Sequence, residues 1–300
     1  MPDQYFRFSA RIPEHPQRSL LLEQLLARAA SFAPVGDWRA DAFRLIAPPA
    51  SSIPAVAAAA LYADYGAMNA SWVCMATPVH YLAEMNNVRL APEGMLALGP
   101  LEAEALALDF NRVWGNSGTR LMAGRSANLY CIFDRALQVT TCDPADVVDR
   151  HIGEYLPAGG DAPVLKQLMS EIEMWLFEHA VNGARAARGL PAITGLWLWG
   201  GGVGLESLPK IQGFCRGVDV FFNAFAAHPP GGGVIVMPDV PGSDAWQDAE
   251  SRWLTPAVAQ LREGALSRLD LSAGARCFSV TARAASRFWR RRKPWWEWFA

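Results

Sequence analysis

Apolar positions recur along this chain at two periods, near 3.6 and near 2, and the alternation of the two predicts an α/β protein. Residues 19–30 (SLLLEQLLARAA) and 53–65 carry apolar side chains round most of a helical circumference, which predicts two buried helices. Ser71 to Leu82 reads as a short apolar strand that turns at Pro78. The stretch 86–99, NNVRLAPEGMLALG, predicts a hairpin of two short strands around Pro92-Glu93-Gly94. Residues 99–114 open on turn residues, place acids early and repeat leucine at helical spacing, so a helix is expected. Ser126 to Asp134 reads as a strand, and residues 142–163 as a short helix followed by a loop. The strongest helical pattern covers 163–188: Leu165, Leu168, Met169, Ile172, Trp175 and Leu176 share one face, and Gly189 and Pro191 end it. Residues 193–199, ITGLWLW, are continuously apolar, as in a strand covered on both faces. Residues 217–225, 231–240 and 275–283 are further strand or short-helix candidates, and 244–266 predict a long amphipathic helix. Strands alternating with helices imply a mostly parallel or mixed sheet flanked by helices. The Pro/Gly loop at 157–163 divides an N-terminal α/β part, 1–157, from a C-terminal part, 158–300, although one continuous domain also fits.

Composition narrows the function classes. Three hundred residues with 51% hydrophobic content can bury a large core. A net charge of −2 argues against a nucleic-acid partner, whose binding surfaces are usually strongly basic. No apolar run reaches the length of a membrane span, and the charged N-terminus lacks the apolar core of a signal peptide. The five cysteines are scattered without a C-x-x-C pair, which fits reduced thiols in a cytoplasmic protein.

Candidate chemistry centres on a few positions. Gly200, Gly201 and Gly202 follow the apolar strand, and glycines let backbone amides approach an anion. Yet G-G-G-x-G is neither the dinucleotide fingerprint nor a Walker loop, and an ordinary structural turn is the commoner meaning of such a run. His80 and His179 belong to no metal-ligand pair and have packing or surface roles as their ordinary alternative. Glu171 and Glu178 lie seven residues apart on one helical face, where paired carboxylates can do acid–base work but more often form a solvated flank. The end of the chain, FWRRRKPWWEWFA, mixes Arg290, Arg291, Arg292 and Lys293 with tryptophans. It reads as a packed final strand or as a contact for a homo-oligomer, and less readily as a lipid or nucleic-acid tail.

The segment from Glu178 to Gly202 resembles the archaeal-type, cofactor-independent phosphoglycerate mutases of the alkaline-phosphatase-like superfamily. His179, Asn182 and Arg185 match a helix ending in H-x-V/I-N-x-x-R. Gly189-Leu190-Pro191 matches the following turn, and Leu196 to Gly202 the strand and glycine loop. More of the chain, about residues 70–293, is similar to uncharacterised bacterial proteins carrying the mutase label, through Pro78-Val79-His80, Glu171-Ile172-Glu173-Met174, the LWLWGGG strand and FWRRR. The resemblance implies a reduced alkaline-phosphatase-like core and a ligand site drawn from His80, His179, Asn182, Arg185 and Gly200 to Gly202.

The same resemblance implies two divalent metals and a phosphoryl-accepting serine, and here the chain departs from the pattern. The N-terminal Asp-Gly motif and the late Asp-x-x-Gly-His motif are absent. Where the late motif would fall stand Asp239 and Asp244 with no histidine, and Ile193-Thr194-Gly195 replaces an expected asparagine. Phosphoryl transfer needs concentrated positive charge, which metals supply in that superfamily. No cofactor or metal is therefore expected. Arg185, Arg188, Arg216, Arg262 and the C-terminal arginines remain able to bind phosphate. The leading expectation is a cytoplasmic, mutase-like protein without the metal and serine site, binding a small anionic or phosphorylated metabolite or acting in regulation. An isomerase or phosphotransferase with a metal-free site, and a self-association module using the tail, are the alternatives.

Overall fold

The computed structural model describes residues 3–7, 18–32, 37–48, 51–217, 219–225, 233–236, 250–273, 276–281 and 291–299. The chain divides into two compact units, residues 1–53 with 209–300, and residues 54–208. In chain order the first unit begins with β1 (Asp3–Arg7), α1 (Leu20–Arg28), β2 (Ala30–Phe32) and α2 (Trp38–Ile46). The second contains α3 (Val56–Tyr65), β3 (Trp72–Ala83), β4 (Val88–Met95), α4 (Pro100–Trp114), β5 (Thr119–Ala123), β6 (Leu129–Phe133), α5 (Ala162–Phe177), α6 (Ala180–Ala186) and β7 (Gly195–Gly202). The first unit resumes with β8 (Phe214–Gly217), β9 (Gly233–Val236), α7 (Thr255–Glu263), β10 (Arg268–Ala273) and β11 (Arg276–Thr281). The loop at 157–163 lies within the second unit, where Thr140 and Ala158 exchange backbone hydrogen bonds and Asp161 accepts from the Gln138 N–H.

The fold is mixed α/β, with a separate sheet in each unit. In the first, six strands run in the order β2-β11-β10-β1-β9-β8. β8, β9, β1 and β10 pair in parallel, and β11 runs antiparallel between β10 and β2. The period of two separates the faces of this sheet. Phe6, Leu269, Leu271, Phe278 and Val280 point into a core built with Leu22, Leu25 and Leu26 of α1 and Val258 and Leu261 of α7. Tyr5, Arg7, Asp270 and Ser272 occupy the other face and are all buried. Helix α2 reaches Tyr5 through Trp38, whose ring stacks on it at 6.4 Å. Asp37 starts α2 by accepting from the Arg39 N–H, as Ser19 starts α1 by accepting from the Leu22 N–H.

In the second unit every strand pairing is antiparallel, unlike the parallel pairing that helix–strand alternation favours. β3 sits at the centre with β7 along one edge and β6 and β4 in succession along the other. This arrangement explains why β3 runs straight through Pro78 instead of turning there. Pro78 lies between the stretch paired with β6, which ends at Met75, and the stretch paired with β4, which begins at Val79. Its carbonyl accepts from the Leu96 N–H at 2.8 Å, and a proline is tolerated at such a break in the ladder.

Three further sequence expectations change. Residues 88–95 form one strand, not a hairpin. Tyr81 pairs with Leu90 and Val79 with Met95, so Ala91 to Gly94 bulge out of the ladder, with Gly94 at φ +67. The hairpin is β3–β4 itself, closed where the Glu84 N–H donates to Asn87. The helix expected over 163–188 is two helices, because His179 adopts extended backbone (φ −70, ψ 134) and its ring caps α6. Strand β10 went unpredicted: Arg268, Asp270 and Ser272 alternate with Leu269 and Leu271, a half-polar strand buried on both faces. Of the helix expected at 244–266, residues 244–249 lie outside the described residues, and the rest forms a π-helical turn at Glu250–Leu254 followed by α7.

Candidate functional site

The residues that the sequence marks as ligand candidates fall at opposite ends of β7. His80, Asn182 and Arg185 gather round the connector Pro191 to Thr194, which carries the chain from α6 into β7. Gly200 to Gly202 form the far end of the strand, roughly 20 Å away at about 3.3 Å per residue.

Each residue of the connector is held by a different group. Arg185 Nε donates to the Pro191 carbonyl at 2.8 Å. His80 Nδ1 lies 2.7 Å from the Ala192 carbonyl. A carbonyl only accepts, so Nδ1 carries the proton. The Asn182 amide closes a ring with Ile193, accepting from its N–H and donating to its carbonyl, both at 2.8 Å. Its second amide hydrogen goes to the Leu176 carbonyl at 2.9 Å, tying the end of α5 to the same point. Thr194 Oγ1 accepts from the Tyr81 N–H at 2.6 Å, and the Thr194 N–H donates to Val79. The H-x-x-N-x-x-R spacing thus has a local physical meaning. Steps of three along one helical turn after another put His179 at the cap, Asn182 against the connector and Arg185 beneath it. Gly189, at φ +67, lets the chain leave α6 and double back.

Arg185 is 2% exposed and also reaches the Ala97 carbonyl at 3.2 Å and the Glu102 carboxylate at 3.2 Å. Glu102 stands in the first turn of α4, accepts from the Gly99 N–H at 2.8 Å and pairs with Arg188 as well. Burial pushes the Glu102 carboxyl up, but the Gly99 N–H and the Arg188 and Arg185 guanidiniums outweigh it and hold the carboxyl below its ordinary value. The sequence reading did not find Glu102. Its only signal was an acid early in a helix, which is also the ordinary helix-dipole pattern.

His179 is nearly buried between α5 and α6. Its Nδ1 accepts from the Val181 N–H at 3.2 Å, and its ring meets Trp175 edge-on with centroids 4.6 Å apart. Nε2 therefore carries the hydrogen and lies 3.4 Å from Asp109 Oδ2. Burial pulls the His179 pKa below its ordinary value, while Asp109 pulls the other way. Glu171 accepts from Trp114 Nε1 at 3.1 Å and from Gln167, and Glu173 is half-buried, where desolvation raises its carboxyl.

The glycines at the far end of β7 meet neighbours at very short range. A Cβ on Gly200 would lie 2.9 Å from Val56, one on Gly201 2.1 Å from the Trp72 ring, and one on Gly202 2.4 Å from the Ala55 Cβ. The alanine-rich start of α3 and the glycine end of β7 are complementary: small residues on both elements let their backbones approach. Gly200 has φ +64 and its N–H donates to Thr141 Oγ1 at 3.1 Å. The preceding tryptophans are buried with their indole N–H groups satisfied, Trp197 by the Cys142 carbonyl and Trp199 by Thr77 Oγ1, each at 2.8 Å.

Among the described residues, no three His, Cys, Asp or Glu side chains converge to hold a metal ion. Asp239 and Asp244 lie outside those residues. Nor is any helix among the described residues long and apolar enough to cross a membrane. At the end of the chain, Phe288 to Arg290 lie outside the described residues, and Arg291, Arg292 and Lys293 are exposed. Trp295 is buried in the core of the first unit, with Trp296, Trp298 and Phe299 packed against it. These residues form a short helical turn rather than the expected strand.

No family model matches the chain. It is 32% identical over 95 residues to the 2,3-bisphosphoglycerate-independent phosphoglycerate mutase of Methanothrix thermoacetophila. The resemblance is partial. The matched stretch is 32% of this chain and 24% of that enzyme, so the chain spans about a quarter of its curated relative. Among solved structures, the chain overlays the cofactor-independent phosphoglycerate mutase of Thermoplasma acidophilum at a TM-score of 0.38 and 12% identity, covering 93% of this chain and 89% of that one. A protein from Pyrococcus horikoshii overlays at 0.39 and 9% identity, covering 94% and 88%.

Proposed function

We propose that this chain is a phosphoglycerate-mutase-like protein that keeps a mutase-type helix–strand unit as framework and acts by binding or regulation, not by metal-dependent phosphoryl transfer. The observation that carries this reading is the engagement of its mutase-like side chains. Arg185 and Asn182 hold the backbone of the 191–194 connector, His80 donates to Ala192, and His179 caps α6. A guanidinium buried against a carboxylate and two carbonyls is a poor phosphate ligand, because capturing an anion would break hydrogen bonds made in a low dielectric. A small phosphorylated or anionic metabolite is the ligand class that the family resemblance favours, and it would have to find cations other than Arg185.

The decisive experiment is a coupled assay for interconversion of 3-phosphoglycerate and 2-phosphoglycerate with the purified full chain, across a manganese titration and with metal content measured in parallel. The expected result is no turnover above background at any manganese concentration. Manganese-dependent turnover that co-purifies with the chain and is lost in an active-site-independent control such as heat-denatured protein would overturn the reading.

A further inference from the structure

Charge is spread unevenly along this chain. Residues 271–300 hold seven of its 27 lysines and arginines but one of its 29 acids, Glu297. The two units differ as well: the first has eighteen cations and thirteen acids, the second nine cations and sixteen acids. A chain of net charge −2 thus concentrates its positive charge in one segment of its first unit. Such asymmetry points to an anionic partner, because like charges gathered in one place repel until something offsets them.

The packing of the aromatic residues shows what holds this segment. Trp295 is 6% exposed in the core of the first unit, and Trp296, Trp298 and Phe299 pack against that core. Phe278 of β11 meets Trp298 and Phe299 edge-on, with centroids 6.0 and 5.4 Å apart. The helical turn Trp296–Phe299 is therefore fastened to the sheet. Directly before it stand Arg291, Arg292 and Lys293, all exposed and outside any helix or strand. Lys293 Nζ lies over the Trp298 ring at 5.0 Å, which ties the cations to the anchored turn.

The arrangement restricts the partner. Consecutive residues send their side chains in different directions, so these three suit a broad anionic surface better than one enclosed anion. Among broad polyanions the aromatic residues decide. A nucleic-acid strand stacks its bases on open ring faces. Here the rings meet one another and Phe278 edge to face and are spent on the core. A bilayer needs no stacking platform. Half-buried tryptophans beside exposed arginine and lysine are the composition of a protein edge that rests at the headgroup level of an anionic membrane.

We propose that Arg291, Arg292 and Lys293 dock the first unit on the surface of an anionic phospholipid bilayer, with the cations over the headgroup phosphates and the tryptophan turn holding them to the fold. This inference stands independently of the mutase-like reading, since none of its residues belongs to the connector or to the β7 glycines.

The test is co-sedimentation of the full chain with vesicles of phosphatidylcholine alone and of phosphatidylcholine mixed with phosphatidylglycerol. Retention on the mixed vesicles and not on the neutral ones is the expected result. Raising sodium chloride from about 0.1 M to about 1 M shortens the Debye length from about 10 Å to about 3 Å and should release the chain. One cation near an anionic surface contributes about fivefold to partitioning, so Arg291→Gln, Arg292→Gln and Lys293→Gln together should lower it by about a hundredfold. The melting temperature of that variant should stay near the wild-type value, because all three residues are exposed. Arg291→Lys with Arg292→Lys keeps the charge and should keep the binding, since a bilayer reads charge and not the planar fork. Equal retention on neutral vesicles, no retention on either kind, or unchanged binding by the glutamine variant would each overturn the proposal. So would loss of binding in the lysine variant or release by millimolar inorganic phosphate, both of which would show a discrete phosphate site. Binding of a single-stranded oligonucleotide without binding of anionic vesicles would assign a nucleic acid in place of the membrane.

Discussion

Replacing Arg185 with alanine separates a structural clasp from a ligand residue. The guanidinium makes hydrogen bonds to the Pro191 and Ala97 carbonyls and an ion pair with Glu102, all at 2.8 to 3.2 Å and with 2% of the residue exposed. Removing one partner of a buried ion pair typically costs about 3–5 kcal/mol. Glu102 keeps the Gly99 N–H and Arg188, so its charge is not orphaned and the lower end applies, about 3 kcal/mol. Arg185→Lys keeps a charge near Glu102 but loses the planar fork, and about half that loss is expected. Because the chain has two units, the assay must report on the second one. Hydrogen-exchange mass spectrometry of peptides spanning residues 190–199 does so, with a β1 peptide as internal control. A loss of 3 kcal/mol is roughly a hundredfold fall in protection if exchange proceeds through unfolding of that unit. Protection within about 0.5 kcal/mol of the wild type would refute the clasp, since surface substitutions without structural roles fall in that range. An equal fall in the β1 peptide would show a global effect and would also count against it.

Other expectations follow from the same contacts. Burial depresses the His179 pKa, so the unfolded chain binds a proton more readily there. Stability is therefore fully present above the unfolded value, near 6.5, and is lost as pH falls from there through the depressed folded value. His179→Asn keeps a good cap without a titrating ring, and the difference between the two pH–stability curves should flatten at high pH and close toward acid; parallel curves would contradict it. Gly201→Ala places a methyl group in the Trp72 ring and should cost about 1–3 kcal/mol or more in urea denaturation, whereas a neutral result would mean the β7–β3 approach is looser than described. Trp295→Ala should destabilise the first unit by about 3–5 kcal/mol, read from its α1 and β10 peptides in exchange, because the indole is buried in that unit's own core. Little change in those peptides would show that the tryptophan serves something other than this core.

Elements with one dominant period were legible in the sequence. The apolar pattern of α1, the leucine spacing of α4 and the apolar run of β7 all lie where the pattern puts them, because each depends on neighbours a few residues away. The failures share a cause. Residues 163–188 keep a helical period across Glu178 and His179, yet the backbone breaks there and the His179 ring accepts from the Val181 N–H, an orphan donor of a second helix. Pro78 reads as a turn until the gap between β6 and β4 is known, and that gap depends on three strands distant in sequence. The site shows the same divide. His80, Asn182 and Arg185 were singled out together, and the structure brings them to one connector. The glycines that follow in the same motif end up at the other end of β7.

The sequence alone determined the α/β composition, most helix positions and the partial likeness to a mutase segment, since all of these rest on local periodicity and on residues close in the chain. What those residues do was decided by tertiary structure. Whether an arginine meets solvent or two carbonyls and a glutamate depends on Ala97, Glu102 and Pro191 converging on it, and whether a glycine run opens onto an anion or onto Val56, Trp72 and Ala55 depends on where α3 and β3 pack.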